Sequence, residues 1–196
     1  MKKSLIMRRD NFIGKRSRFS EPSAIIRISK YGIARVLAIN QEEIIQEFVE
    51  FEKKDLTLNQ LASLARKIHS EKDSKGTLVH GDLSKGNTTI YGGEEKCYDY
   101  EHAHFGEPYA DLGRIILRSC NGASQVSDFF TVYSGRTPGI EEIREGLIYF
   151  CNWQYKLRKD KGLSFSEVPL ERRKRVIRAG KDFSKIITAF RARVVL

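Results

Sequence analysis

The segment "LVHGDLSKGNTTIY", residues 78–91, sets His80, Asp82 and Asn87 inside a run that otherwise reads as a buried strand. Polar groups in such a setting are costly unless they bind something. Their spacing is H-x-D-x-x-x-x-N, and a further carboxylate, Asp99, follows twelve residues after Asn87. A hairpin across "YGGEE" would return Asp99 to the side of Asn87. An amide oxygen and a carboxylate would then face one point, as a hard cation such as Mg²⁺ prefers. Asp82, a few residues away on the loop, is left to accept a proton from a hydroxyl. A positioned base beside a metal-bound phosphate is the minimal equipment of phosphoryl transfer, which rests on positioning and charge neutralisation.

Elements with clear sequence signals flank this loop. In "TLNQLASLARKIH", residues 57–69, Thr57 is placed to cap a helix, and Leu58, Leu61, Leu64, Ala65 and Ile68 recur at helical intervals. Upstream, "EPSAIIRISK" puts Pro22 in the first turn of a helix that stops near Gly32. "IARVLAI" and "IIQEFVEF", joined by the polar "NQEE", read as a β-hairpin. Downstream, "KCYDYEHA" reads as the second, short strand of the hairpin that carries Asp99. From Asp111 the pattern is helical to the end, with breaks at "CNGAS", "SGRTPG" and "DKGLS".

Composition narrows the surroundings. The 196 residues carry a net charge of +10, but residues 1–30 contribute +7 and residues 156–196 contribute +9, which leaves the middle at −6. The basic charge therefore sits in the two ends while the loop segment is acidic. Cys97, Cys120 and Cys151 form no C-x-x-C pair, which argues against a disulfide framework or a zinc site and points to a reducing cytoplasm. No apolar h-region follows the basic start, and no stretch approaches a membrane span. The C-terminal "ERRKRVIRAGKDFSKIITAFRARVVL" places Ile177, Phe183, Ile186, Ile187, Phe190 and Val194 opposite Arg178, Lys181 and Lys185, as one amphipathic helix. Such a helix closes a core or docks on an anionic surface such as membrane lipid, which would make the protein peripheral there. His102 and His104 in "EHAH" would point the same way on a strand, a weak metal signal. Trp153 with Tyr149, Phe150 and Tyr155 reads as core packing rather than a base-stacking platform, and no specific nucleic-acid partner is expected.

Taken together, "HGDLSKGN", "DYEHAHFGEPYADLGR" and the preceding "LASLARKIHS" resemble the aminoglycoside phosphotransferase and choline kinase group, which shares the protein-kinase-like fold. The similarity covers roughly residues 40–118. The resemblance implies Asp82 as catalytic base, Asn87 and Asp99 as Mg²⁺ ligands, His80 as a brace for the loop, and Asp111 as a buried carboxylate that holds the loop and His80. It implies an α+β, two-lobe fold: a reduced nucleotide-binding N-lobe over residues 1–52 and a mostly helical catalytic C-lobe over residues 53–196. In that fold a strand lysine on the ATP phosphates pairs with a helix glutamate. Lys15 in "NFIGKRSR" and Glu21 are the positions available here, although Lys15 reads equally as part of a solvated basic arm. No glycine-rich G-x-G-x-x-G accompanies them, only Gly14, and Glu21 stands only six positions after Lys15.

The expected function is ATP- and Mg²⁺-dependent phosphorylation of a hydroxyl. Only eleven residues lie between Asp99 and Asp111, too few for a peptide-binding activation segment, which favours a small molecule or a glycolipid sugar as acceptor. Two alternatives stay open. A small atypical protein kinase also carries H-G-D, and a pseudokinase binding module would explain the missing glycine-rich loop.

Overall fold

The computed structural model describes residues 7–9, 12–16, 21–39, 43–164 and 166–194, with 7–9, 12–16 and Glu43 described by backbone alone. The chain divides into two compact units, Met1–Pro108 and Tyr109–Leu196.

The first unit mixes strands and helices. An antiparallel sheet in the order β1-β2-β4-β3 is formed by β1 (Met7–Arg9), β2 (Phe12–Arg16), β4 (Glu43–Glu47) and β3 (Val36–Ile39). The hairpin read from "IARVLAI" and "IIQEFVEF" is β3–β4, with Ile39 opposite Ile44. Between β2 and β3 runs α1 (Pro22–Ile28), with proline in its first turn and Ala24, Ile25 and Ile28 buried. A single 3₁₀ turn, Ser29–Tyr31, ends at Gly32. The chain after β4 has no regular structure until Thr57 caps α2 (Leu58–Ser70). Thr57 and Gln60 form a reciprocal capping box, and Leu61, Ala62, Leu64, Ala65 and Ile68 supply the buried stripe that fixes this helix against the unit's core.

Next, β5 (Lys72–Asp73) and β6 (Gly76–Val79) pair, and β9 (His104–Gly106) adds to the other edge of β6. A separate hairpin joins β7 (Thr88–Tyr91) to β8 (Glu94–Cys97) through Gly92 and Gly93, whose φ values of 60° and 81° are those a two-residue turn demands. The expected strand over "KCYDYEHA" is thereby corrected. Pairing stops at Cys97, Tyr98–Ala103 lie outside regular strands, and the next strand begins at His104. The reason lies at Asp99, whose φ of 61° is incompatible with an extended ladder.

The second unit is helical: α3 (Tyr109–Ser119), α4 (Ala123–Ser134), α5 (Ile140–Asp160), α6 (Val168–Arg178) and α7 (Phe183–Arg191). Phe129, Phe150 and Phe190 fill its core. The breaks fall where the sequence places them, with one addition. The C-terminal run forms two helices rather than one, because Gly180 takes a left-handed φ of 70° and Asp182 caps α7 by accepting from the Lys185 amide at 2.9 Å. Ile177 consequently leaves the apolar stripe and is half exposed, whereas Ile186, Ile187 and Phe190 remain buried.

Candidate active site

The loop after β6 is built by three constraints. Val79 and Leu83 are fully buried and pin its two ends, and Gly81 between them has a φ of 82°. A Cβ at Gly81 would stand 2.5 Å from the His102 carbonyl oxygen, so only glycine fits. His80 is wholly buried and bridges two segments. Its Nδ1 accepts from the Asp82 amide at 3.3 Å, which leaves the proton on Nε2 to donate to the Tyr98 carbonyl at 3.0 Å. The ring thus ties the loop to the segment that carries Asp99.

A 3₁₀ turn over Lys85–Asn87 closes the loop. The Asn87 amide donates to the Ser84 carbonyl at 3.0 Å, and Thr88 Oγ1 donates to the same carbonyl at 3.1 Å. The Asn87 side chain points back, with Nδ2 donating to the Asp82 carbonyl at 2.9 Å and to Asp82 Oδ2 at 3.1 Å. The carboxylate of Asp82 is thereby tied to the loop that bears it. Both donors of the amide face Asp82, so the opposite side of the group presents Oδ1, the atom with metal-binding chemistry.

The β7–β8 register sets Thr88 opposite Cys97, and the Tyr98 amide donates to the Asn87 carbonyl at 3.0 Å. Asp99 therefore follows the residue whose amide is bonded to the Asn87 carbonyl. Its left-handed backbone, uncommon for a residue with a side chain, marks a position held by its surroundings. Two oxygen donors suit Mg²⁺, which completes its shell with water and substrate phosphates rather than with a full protein cage. No group of three or more His, Cys, Asp or Glu side chains able to hold a metal occurs among the described residues. His102 lies in a turn and His104 in β9, with the His104 Nδ1 at 2.9 Å from the His102 carbonyl, so the two do not share one strand.

Tyr98 was not legible as a site residue. Its hydroxyl donates to the Gly86 carbonyl, its ring lies 5.3 Å from that of Phe51, and burial, with Asp55 and Asp99 adding and Lys53 opposing, pushes its pKa up. Tyr98 thus stays a neutral donor that ties the turn before Asn87 to Asp99. The chain after β4 is strapped to the same hairpin: Lys54 donates its amide to Thr89 Oγ1 at 2.9 Å and accepts from the Ile90 amide at 3.1 Å.

Glu21 stands at the N-terminus of α1. Its carboxylate pairs with Lys75 Nζ at 3.0 Å and lies 3.4 Å from the Phe105 amide, while its own amide donates to the Ala103 carbonyl at 3.2 Å. Lys15 falls in β2, and its side chain lies outside the described residues, so the Lys15–Glu21 pair is not observed. Asp111 belongs to the second unit. It is fully buried in the first turn of α3, where its negative charge adds to burial in raising the pKa of Tyr133. None of the three cysteines is in a disulfide, and all are buried. Among the described residues no helix is long and apolar enough to cross a membrane.

With this geometry in hand, comparison with known proteins is informative. The profile of the phosphotransferase enzyme family, APH, matches residues 32–145. No curated protein matches the chain in sequence. Among solved structures, a choline/ethanolamine kinase family protein from Mesorhizobium loti superposes with a TM-score of 0.64 at 12% identity, covering 96% of this chain and 89% of the other. The streptomycin–ATP–APH(2")-IIa ternary complex gives a TM-score of 0.50 at 12% identity, covering 92% and 83%. These likenesses identify the fold as protein-kinase-like, with a short strand-rich part and a helical part.

Proposed function

The chain belongs to the phosphotransferase enzyme family, and from that premise we propose that it transfers the γ-phosphoryl group of ATP to a hydroxyl of a small molecule or of a glycolipid sugar. The observation that carries this reading is the double hydrogen bond from Asn87 Nδ2 to the Asp82 carbonyl and Oδ2. One side chain orients the proposed base with its nitrogen and offers an oxygen to the proposed metal.

In this reading Asp82 receives the hydroxyl proton of the acceptor on its carboxylate and aims the oxygen at the phosphorus. Asn87 Oδ1 and the Asp99 carboxylate would hold Mg²⁺, which when bound neutralises charge on the phosphates. His80 and Tyr98 act as positioning residues, since each connects the Asp82 loop to the Asp99 segment. Asp111 is proposed as a structural carboxylate of the helical unit rather than a chemical one. Lys15 and Glu21 are the proposed nucleotide contacts of the strand-rich part.

ATP as donor draws on the ternary complex of similar fold, which contains it. A small acceptor is supported by the chain after Asp99: a turn, the three-residue β9 and the start of α3 at Tyr109 take up the whole distance to Asp111. No excursion remains there to bind an extended peptide.

The test is incubation of the protein with γ-labelled ATP, Mg²⁺ and a cell extract, followed by separation of small molecules, lipids and proteins. Label in the small-molecule or glycolipid fraction that needs both Mg²⁺ and the protein is expected. Label confined to protein would replace this reading with a protein kinase. No label and no nucleotide binding would replace it with a binding module.

A further inference from the structure

Asp99 holds a left-handed backbone, with φ of 61°, that a residue with a side chain keeps only where its surroundings over-determine it. Its two chain neighbours are both tyrosines, and each hydroxyl is bonded to a different segment. Tyr98 donates to the Gly86 carbonyl, in the turn before Asn87. Tyr100 donates to the Ala34 carbonyl at 2.7 Å.

Ala34 belongs to the connection between the 3₁₀ turn Ser29–Tyr31 and β3. That connection is docked along the segment leading to Asp99. The Ile33 amide donates to the Cys97 carbonyl at 3.1 Å, and Cys97 Sγ lies 3.3 Å from the Tyr31 carbonyl. A Cβ at Gly32 would stand 2.8 Å from Tyr100 Cε1 and 3.2 Å from both the Tyr100 hydroxyl oxygen and the Ser29 carbonyl. Gly32 has an ordinary φ of −86°, so close packing and not backbone conformation calls for glycine there. One residue past Ala34, Arg35 joins β4: its carbonyl accepts from the Glu47 amide at 3.0 Å, and its Nη2 donates to Glu47 Oε1 at 2.9 Å. Lys15 falls in the same sheet, on β2.

Packing alone does not explain a tyrosine at position 100. The side chain is 3% exposed, with its ring edge-on to that of His80 at 6.4 Å. Phenylalanine would fill that space without a buried hydroxyl to satisfy. What the hydroxyl adds is a fixed tie between the entry to β3 and the residue next to Asp99.

We propose that Tyr100 is a positioning residue of the metal site: its bond to Ala34, together with the Tyr98 bond to Gly86, holds Asp99 in its left-handed conformation and couples that conformation to the sheet carrying Lys15. The metal role rests on the phosphotransfer reading, whereas the linkage is a property of the ligand-free chain.

Tyr100→Phe keeps the ring and removes only the hydroxyl. Tyr31→Phe is the control, because its hydroxyl donates from the same connection to Glu71 Oε1 at 3.2 Å and not to the Asp99 segment. The first readout is amide hydrogen exchange in the ligand-free protein. The amides of Ile33, Tyr98 and Ala103 donate to the carbonyls of Cys97, Asn87 and Tyr100. They should exchange about fivefold faster in Tyr100→Phe, the worth of one buried hydrogen bond, and keep their rates in Tyr31→Phe. The second readout is ATP binding by calorimetry over a range of Mg²⁺ concentrations. The Mg²⁺ needed for half-maximal affinity should rise about two- to fivefold in Tyr100→Phe, as the fraction of chains with Asp99 in place falls, with binding in EDTA unchanged. Gly32→Ala, which displaces the ring without touching a ligand, should move both readouts the same way. Unchanged exchange in Tyr100→Phe, or equal acceleration in Tyr31→Phe, overturns the linkage. Faster exchange with an unmoved Mg²⁺ dependence overturns the metal role, since a purely structural tyrosine would give that result. A wild type that binds no Mg²⁺-ATP defeats the phosphotransfer reading and the metal role with it, and the exchange rates still decide the linkage.

Discussion

Replacing Gly81 by alanine probes how the catalytic loop is shaped, and Gly92→Ala supplies its control. Both glycines have positive φ, 82° and 60°, so each substitution meets the left-handed penalty of about 1 kcal/mol. At Gly92 a new Cβ has nothing within 4 Å, and the cost should stop there. At Gly81 it would sit 2.5 Å from the His102 carbonyl oxygen and 2.8 Å from the His102 Cβ, contacts made largely with backbone that cannot swing away. Overpacking of that kind adds roughly 1–3 kcal/mol, for a total of about 2–4 kcal/mol. For a chain of this size that corresponds to a fall in Tm on the order of 10 °C. The shift would also disturb the His80 and Asp82 bonds, so turnover should fall in Gly81→Ala and not in Gly92→Ala. Thermal melts and a phosphoryl-transfer assay on the two variants suffice. Equal melting temperatures for the two would refute the claim that backbone contact with His102 dictates this glycine.

Three further outcomes are expected. Asp99→Asn, which keeps size and tolerance of the left-handed backbone, should abolish Mg²⁺-dependent nucleotide binding while Tm stays within a few degrees; unchanged Mg²⁺-ATP affinity by calorimetry would remove Asp99 from the metal site. Asp111→Ala, which empties a fully buried position, should cost on the order of 2–4 kcal/mol in urea denaturation, and a fully stable but inactive variant would instead make Asp111 part of the chemistry. Burial raises the Cys151 thiol from the usual 9.0 to about 12, so the folded chain holds that proton longer than the unfolded one does. The resulting stability is fully present below pH 9 and lost as pH rises toward 12. Urea midpoints between pH 8 and 11 should fall more steeply in the wild type than in Cys151→Ala, and parallel curves would count against a buried neutral thiol.

Local signals in the sequence were enough for the elements around the site. Thr57 and Gln60 announce α2 because a capping box is a contact between residues three apart, and the Gly92–Gly93 pair announces the β7–β8 turn because only that backbone closes it. With the turn fixed, the period of two along each strand sets Asp99 near Asn87. What escaped the sequence depends on contacts distant along the chain. The helical spacing of apolar residues runs nearly in phase through Gly180, so periodicity alone reads α6 and α7 as one helix. The left-handed turn at Gly180 and the cap at Asp182 decide otherwise. The strand expected through Asp99 fails for a similar reason, a backbone conformation that side-chain pattern does not encode. Tyr98 looked like an ordinary strand residue, yet its carbonyl receives the His80 proton and its hydroxyl reaches Gly86.

The account turns on Asp82 as the base of a phosphoryl transfer, and Asp82→Asn tests it most directly. Asparagine is nearly isosteric, and the Asn87 bond to the Asp82 backbone carbonyl at 2.9 Å does not depend on the side chain, so the loop should keep its shape. The measurement is turnover with the acceptor found by labelling, paired with Mg²⁺-ATP affinity on the same preparation. Turnover should fall about 10²- to 10⁴-fold, the range for a positioned general base, with nucleotide affinity unchanged. Wild-type turnover in Asp82→Asn would contradict the assignment and, with it, the reading of this loop as catalytic.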